Sequence, residues 1–247
     1  DLGFETNGAT RMTITAAGKV GIGLAPTDGT LHVHTATAGT IAAGSWTDDL
    51  VVENSGSGGI SIITPDANNA YVSFSSPSAQ EGANIKWNFD AKDMELSTHN
   101  AASKITFSPG SEALAVTMLA SGKVGVGIAD PDGELHAHTG SAGSVTAYTN
   151  ADEIVAEGGG ESGISILSPD ANHGYLVFGA ASSNLAAYVK SHYNNGVLQI
   201  GTAKTGGNIK FRSGNDVEVM VLDETGLATF RQDVYITDLS AVGTDPL

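Results

Sequence analysis

The 247-residue sequence contains no cysteine. Disulfides and thiolate chemistry are therefore excluded, and the redox compartment leaves no trace. Aromatic residues make up only 6% of the chain and charged residues 15%, so large anchors and ion pairs are both scarce. Eleven Lys and Arg stand against 27 Asp and Glu, for a net charge of −16. Sustained contact with a phosphate backbone needs basic side chains to displace counterions. Neither nucleic acid nor an anionic membrane surface is an expected partner, and the acidity reads as a solvated surface. No apolar run approaches the roughly 18 residues of a membrane span, so no membrane insertion is expected. No segment keeps a helical period over three turns. There is no signal-peptide pattern, and the first residue is Asp1 rather than Met, which reads as a piece of something longer or a processed product.

What is present is glycine, at 32 residues, and an apolar fraction of 40%. That fraction argues against wholesale disorder. The glycines are ordered by repetition. GKVGIG at Gly18–Gly23 returns as GKVGVG at Gly122–Gly127, an offset of 104. The same offset pairs Leu31-His32-Val33-His34 with Leu135-His136-Ala137-His138, and Gly59-Ile60-Ser61-Ile62 with Gly163-Ile164-Ser165-Ile166. It pairs Pro65-Asp66-Ala67-Asn68 with Pro169-Asp170-Ala171-Asn172. A third version, VMVLDETGLATF, begins at Val219, with Gly226 standing 104 after Gly122. This is a tandem duplication whose period is the size of a small domain rather than a solenoid repeat. The expected division is the end of one module at 1–17, full modules at 18–121 and 122–225, and the start of another module or a connector at 226–247.

Short apolar runs separated by Gly, Asn, Asp, Ser and Pro predict an all-β fold. In the first copy the predicted strands are Met12–Thr15, Leu31–His34, Leu50–Glu53, Ile60–Ile63, Tyr71–Phe74, Ile85–Phe89 and Lys104–Phe107. The PDAN stretches are turn chemistry, with Pro fixing φ and Asp and Asn bonding locally. If GKVGIG is extended, Gly21 and Gly23 share one face while Val20 and Ile22 take the other. Glycine inside a strand marks a bulge or a close backbone approach. Gly21, Gly23, Gly125 and Gly127 are therefore expected where several chains come closest on an axis. A phosphate-cradling loop is a poor alternative, because the strand–GxGxxG–helix context is missing.

The string RMTITAAGKVGIGLAPTDGTLHV resembles a motif that recurs in bacteriophage tail-fibre proteins. There an RM-x-I strand leads into G-x-VGIG, a Pro-containing turn and then LHV. ASGKVGVGIADPDGELHA is a second instance, and AYVSF, GANIKWNF and ITF are similar to the light β-modules of such fibres. The likeness covers most of the chain and keeps phase with the repeat. Two departures stand out: Leu24 and Ile128 follow GIG and GVG where Thr is common, and the last module drops the VGIG half. The resemblance implies an elongated, parallel homotrimeric fibre of tandem small β-modules, of the intertwined β-prism or β-sandwich type. It also implies a place on the virion, outside the cell, among other tail proteins, and a role in attachment to a host-surface glycan or protein. A Gly-rich module with few aromatics buries little alone, and three copies can bury faces that one cannot.

Side-chain constellations add candidates. His32 with His34, and His136 with His138, are HxH pairs whose imidazoles share one side of a strand. Three such pairs in a parallel trimer would present six imidazoles around one axial point, enough for an octahedral transition-metal ion. The resemblance adds that some phage fibres carry HxH metal sites on their axis. The alternative turns Leu31 and Val33 to the core and the histidines to water. Asp130, Asp132 and Glu134 faintly resemble a calcium loop, but only Asp28 matches in the first copy, so a turn is expected. Asp48-Asp49 and Asp152-Glu153 are adjacent acids on opposite faces and cannot flank one glycosidic bond. Asp90, Asp93 and Glu95 have no acidic counterparts, and no nucleophile motif is present. The expectation is therefore a non-enzyme. Trp46 aligns with Asn150 and Trp87 with Ser191. A fold that accepts Asn and Ser there does not need an indole, so these two rings are candidate receptor contacts; packing at a module junction or trimer interface is the alternative. The leading expectation is a structural and adhesive fibre segment. The alternatives are a glycan depolymerase on a fibre scaffold and a bacterial trimeric surface adhesin.

Overall fold

A computed structural model describes residues 1–26, 28–110 and 113–231. Of the module start expected at 226–247, residues 232–247 lie outside this description. The described chain is all-β, with one short 3-10 turn at Gly214–Asp216 and no α-helix. By packing, it divides into two units: Asp1–His138 with Val145–Val155, and Thr139–Ser144 with the chain from Ala156 on. The boundary between these units falls inside the second sequence period.

The first sheet contains β1 (Leu2–Thr6), β2 (Ala9–Ile14), β3 (Val20–Ile22), β4 (Leu31–His34) and β5 (Leu50–Glu53), in that order. β1, β2 and β3 are joined antiparallel, and β3, β4 and β5 run parallel. A three-stranded antiparallel sheet follows, made of β6 (Asn69–Ser76), β7 (Ala79–Asn88) and β8 (Asp93–Thr98). The next five strands, β9 (Lys104–Phe107), β10 (Val116–Leu119), β11 (Val124–Val126), β12 (Leu135–His138) and β13 (Ile154–Glu157), repeat the first design. β14 (His173–Ala180), β15 (Ser183–His192) and β16 (Val197–Thr202) repeat the second. β17 (Ile209–Ser213), β18 (Val217–Leu222) and β19 (Ala228–Phe230) form a last antiparallel sheet. The bounds of β3 to β8 recur at β11 to β16 with the same offset of 104. The turns are those the sequence predicts: Asn68 N–H donates to Pro65 O at 2.9 Å, and Asn172 N–H to Pro169 O at 2.8 Å.

Ile60–Ile63 is a correction. It forms no strand, and its counterpart Ile164–Leu167 forms none either. The residues have strand chemistry, but among the described residues no element of their own chain pairs with them.

Register explains which side chains are enclosed. Across the first sheet one row runs Thr13, Gly21, His32, Val51. The loop after β3 folds over this face, with Pro26 and Gly29 buried. The opposite face carries rows such as Ile14, Val20, Leu31, Leu50, and beside it Ile22 and Val33. None of these six apolar side chains is buried. The pattern repeats in the second five-stranded sheet, where Thr117, Gly125 and His136 form the enclosed row. Proline apart, no hydrophobic side chain among the described residues is buried, whereas Thr13, His32, Asn84, Thr117 and His136 are.

Candidate functional site

The enclosed row is built around glycine. Gly21 lies beside His32 in register, and a Cβ on it would stand 2.3 Å from Leu24 O and 2.7 Å from Pro26 Cδ. Gly23 sits at φ +87° with its Cβ position 2.1 Å from His34 O. Gly125 and Gly127 repeat this, facing Ile128 O at 2.6 Å and His138 O at 2.3 Å. The close approach expected at these four glycines is made by their own chain. The turn folds back onto the sheet, so no axial neighbour is needed to explain them.

His32 is fully enclosed, at 0% exposure. Its Nε2 lies 3.1 Å from Glu53 Oε2, and His34 Nε2 lies 3.8 Å from the same oxygen. The two rings meet edge to face with centroids 5.9 Å apart. Glu53 Oε1 accepts the Ala38 N–H at 2.7 Å. That backbone bond is the main reason the Glu53 carboxyl is held below its ordinary range, with smaller help from Thr37, His34 and His32 against desolvation. Asp28 completes the group: one donor atom each from Asp28, His32 and Glu53 lie within 4.8 Å of one another. His32 Nδ1 is buried with no hydrogen-bond partner. In the second copy the offset places Asp132, His136 and Glu157 at the matching positions. There Asp132 N–H donates to His136 Nδ1 at 3.2 Å, and Glu157 accepts Ala142 N–H at 2.7 Å.

This geometry changes both expectations for the histidines. They are not solvated with Leu31 and Val33 turned inward, because the glycine row leaves a slot that the imidazole of His32 fills. His32 and His136 are enclosed by their own chain, at 0% exposure, so a six-imidazole axial site would require the turn that covers them to open. Imidazole and carboxylate donors of this kind can ligate a transition metal within one chain. A metal on His32 Nε2 would have to replace the proton that links Nε2 to Glu53. The protein's own bonds already account for Glu53, and in the second copy for His136 Nδ1. The cluster therefore acts as a polar clasp, tying the β4 histidine to β5 and to the loop beyond His34.

Trp46 stands in the turn before β5 at 97% exposure. Trp87 lies on β7, half-exposed, and lines an apolar cavity with Ile60, Ile62, Tyr71, Ile85 and Met94. Among the described residues the two rings make no aromatic contact with each other. The DPDGE stretch is a turn, as expected, with Lys123 Nζ donating to Asp132 O at 2.6 Å. The Asp48 and Asp49 carbonyls accept Thr30 N–H and Leu31 N–H, so their backbone extends the β4–β5 ladder.

Two features escaped the sequence reading. Asp28 and Glu53 are retained at the offset of 104, which was the available signal, but their convergence on His32 depends on the β4–β5 register. The second is His173 facing His192 across β14 and β15, with ring centroids 4.5 Å apart. Partial desolvation, then the charge of His192, holds His173 below its ordinary pKa. The first copy has Asn69 and Asn88 there. Comparison with protein-family models and with curated proteins finds no match to this chain.

Proposed function

We propose that this chain is a structural and adhesive segment of a trimeric phage tail fibre, which sets reach and spacing and presents contacts to the host surface. The observation that carries the self-association in this reading is the inverted burial: polar side chains are enclosed, while the apolar sheet faces are only partly covered. Its scale can be worked out. Two compact units of half this mass would together expose about 12,000 Å². The chain exposes 18,543 Å². Granting the residues outside the description the full area of an unfolded chain, about 2,800 Å², still leaves roughly 3,000 Å² in excess. A standard protein interface buries about 800 Å² per partner. Excess surface of this extent is covered most simply by identical copies, because each brings the same incompletely covered apolar face in the same repeat. The trimer, the parallel register and the virion setting rest on the motif resemblance. In this reading the adjoining partners are other tail proteins, and the outward contact is a host glycan or protein, with exposed Trp46 as one candidate anchor.

The test is incubation of the labelled chain with host-surface polysaccharide, followed by chain-length analysis. Retention without shortening is the expected result. Shortened polysaccharide would replace adhesion with depolymerisation, which requires carboxylates that converge between copies. Gold-labelled antibody on virions, rather than on bacterial envelopes, separates the phage reading from a bacterial surface adhesin.

A further inference from the structure

Gly59-Ile60-Ser61-Ile62-Ile63 links β5 to β6, and Gly163-Ile164-Ser165-Ile166-Leu167 links β13 to β14. Both have the β-branched, alternating composition of strands. Neither makes a backbone hydrogen bond within the described chain. Ile63 and Leu167 are 90% and 91% exposed. Ile60 and Ile62 border a cavity of about 330 Å³, whose other walls include Tyr71, Ile85 and Trp87. A connection that only had to span two strands would be polar. Here large aliphatic side chains are spent on it twice, at the same place in the period.

We infer that Gly59–Ile63 and Gly163–Leu167 are interchain strands, each laddering its backbone onto another copy of this chain while apolar side chains of that copy fill the adjoining groove. The inference rests on the self-association proposed above and names the segments that carry it. A second copy is the occupant because the bare area far exceeds what a small partner covers. Because both segments sit at one offset, the same symmetry relation serves both. Unpaired strand edges are templates for this kind of addition.

Hydrogen–deuterium exchange read by mass spectrometry, with the molecular mass measured on the same sample, tests it. In the assembled protein the amides of residues 60–63 and 164–167 exchange at least ~100-fold more slowly than in a free peptide of the same sequence. An assembled protein with free exchange at both segments overturns the inference and leaves self-association standing. A monomer overturns both. As a second arm, S61P and I62P are made separately. Neighbouring N–H groups of a strand point to opposite edges, so at least one proline removes an interchain bond and weakens association at least ~10-fold. If neither changes the association constant, the segment is not an interchain strand.

Discussion

Replacing Gly23 with alanine separates an intrachain role for the repeated glycines from an interchain one. Gly23 and Gly18 share a left-handed backbone, at φ +87° and +82°. An alanine at either position costs about 1–2 kcal/mol for that conformation alone. At Gly18 nothing lies within 4 Å of the new methyl, whereas at Gly23 it would stand 2.1 Å from His34 O. The carbonyl belongs to β4 and cannot rotate away, so the turn must open. Forcing atoms into a packed site costs about 1–3 kcal/mol more. G18A is therefore expected to lose about 1–2 kcal/mol and G23A about 2–5 kcal/mol. For a chain of this size each kcal/mol is worth about 2–4 °C of melting temperature. Thermal melts at one fixed protomer concentration, followed by circular dichroism, make the comparison, because association makes melting concentration-dependent. G23A is expected to melt roughly 2–12 °C below G18A. Equal melts would refute the packing of the turn on β4. An unchanged melt with a lowered molecular mass would place Gly23 at a contact between chains.

Three further outcomes follow from the same geometry. The folded-state pKa of His173 is depressed, so the neutral ring is favoured on folding. Its contribution is intact above the ordinary histidine value of 6.5 and is lost as pH falls from there through the folded value. H173N, which restores the residue type of Asn69, is expected to flatten that acid-side fall in melting temperature, and an unchanged profile contradicts the His173–His192 pairing. W46A is expected to leave stability within about 0.5 kcal/mol, since the ring touches almost nothing, while weakening retention on host polysaccharide; a large loss of stability would show that the indole is packed in the assembled protein. Dialysis against a chelator is expected to leave both mass and melting temperature unchanged, because Glu53 Oε1 already accepts the Ala38 N–H and Glu53 Oε2 already bonds to His32 Nε2. Dissociation on chelation would make Asp28, His32 and Glu53 a metal centre.

The parts of the fold that were legible in the sequence are those set by local chemistry. Leu31–His34, Leu50–Glu53 and Lys104–Phe107 are strands at the bounds their apolar alternation predicts, and the Pro-Asp-Ala-Asn turns close as their side chains dictate. The repeat was legible because it needs only residue identity. Ile60–Ile63 has strand chemistry and forms no strand, because a strand is defined by its partner and none lies among the described residues of the same chain. β8, Asp93–Thr98, was passed over because Asp93, Glu95 and Ser97 mask its period-2 apolar positions. Sequence alone leaves the histidines either around an axial metal or in water with Leu31 and Val33 inward. In fact Gly21 and the loop through Pro26 create an enclosed slot, which His32 fills. The clasp at Glu53 depends on a register across 21 residues, and no local pattern encodes it.

Self-association requires that the incompletely covered apolar faces be covered by copies of the same chain. Molecular mass by light scattering on the full 247-residue chain is the most direct measurement. Three times 25.0 kDa, held on dilution, is the predicted result. A cooperatively folded species of 25.0 kDa would contradict it, since the exposed sheet faces would then be stable in water without a partner.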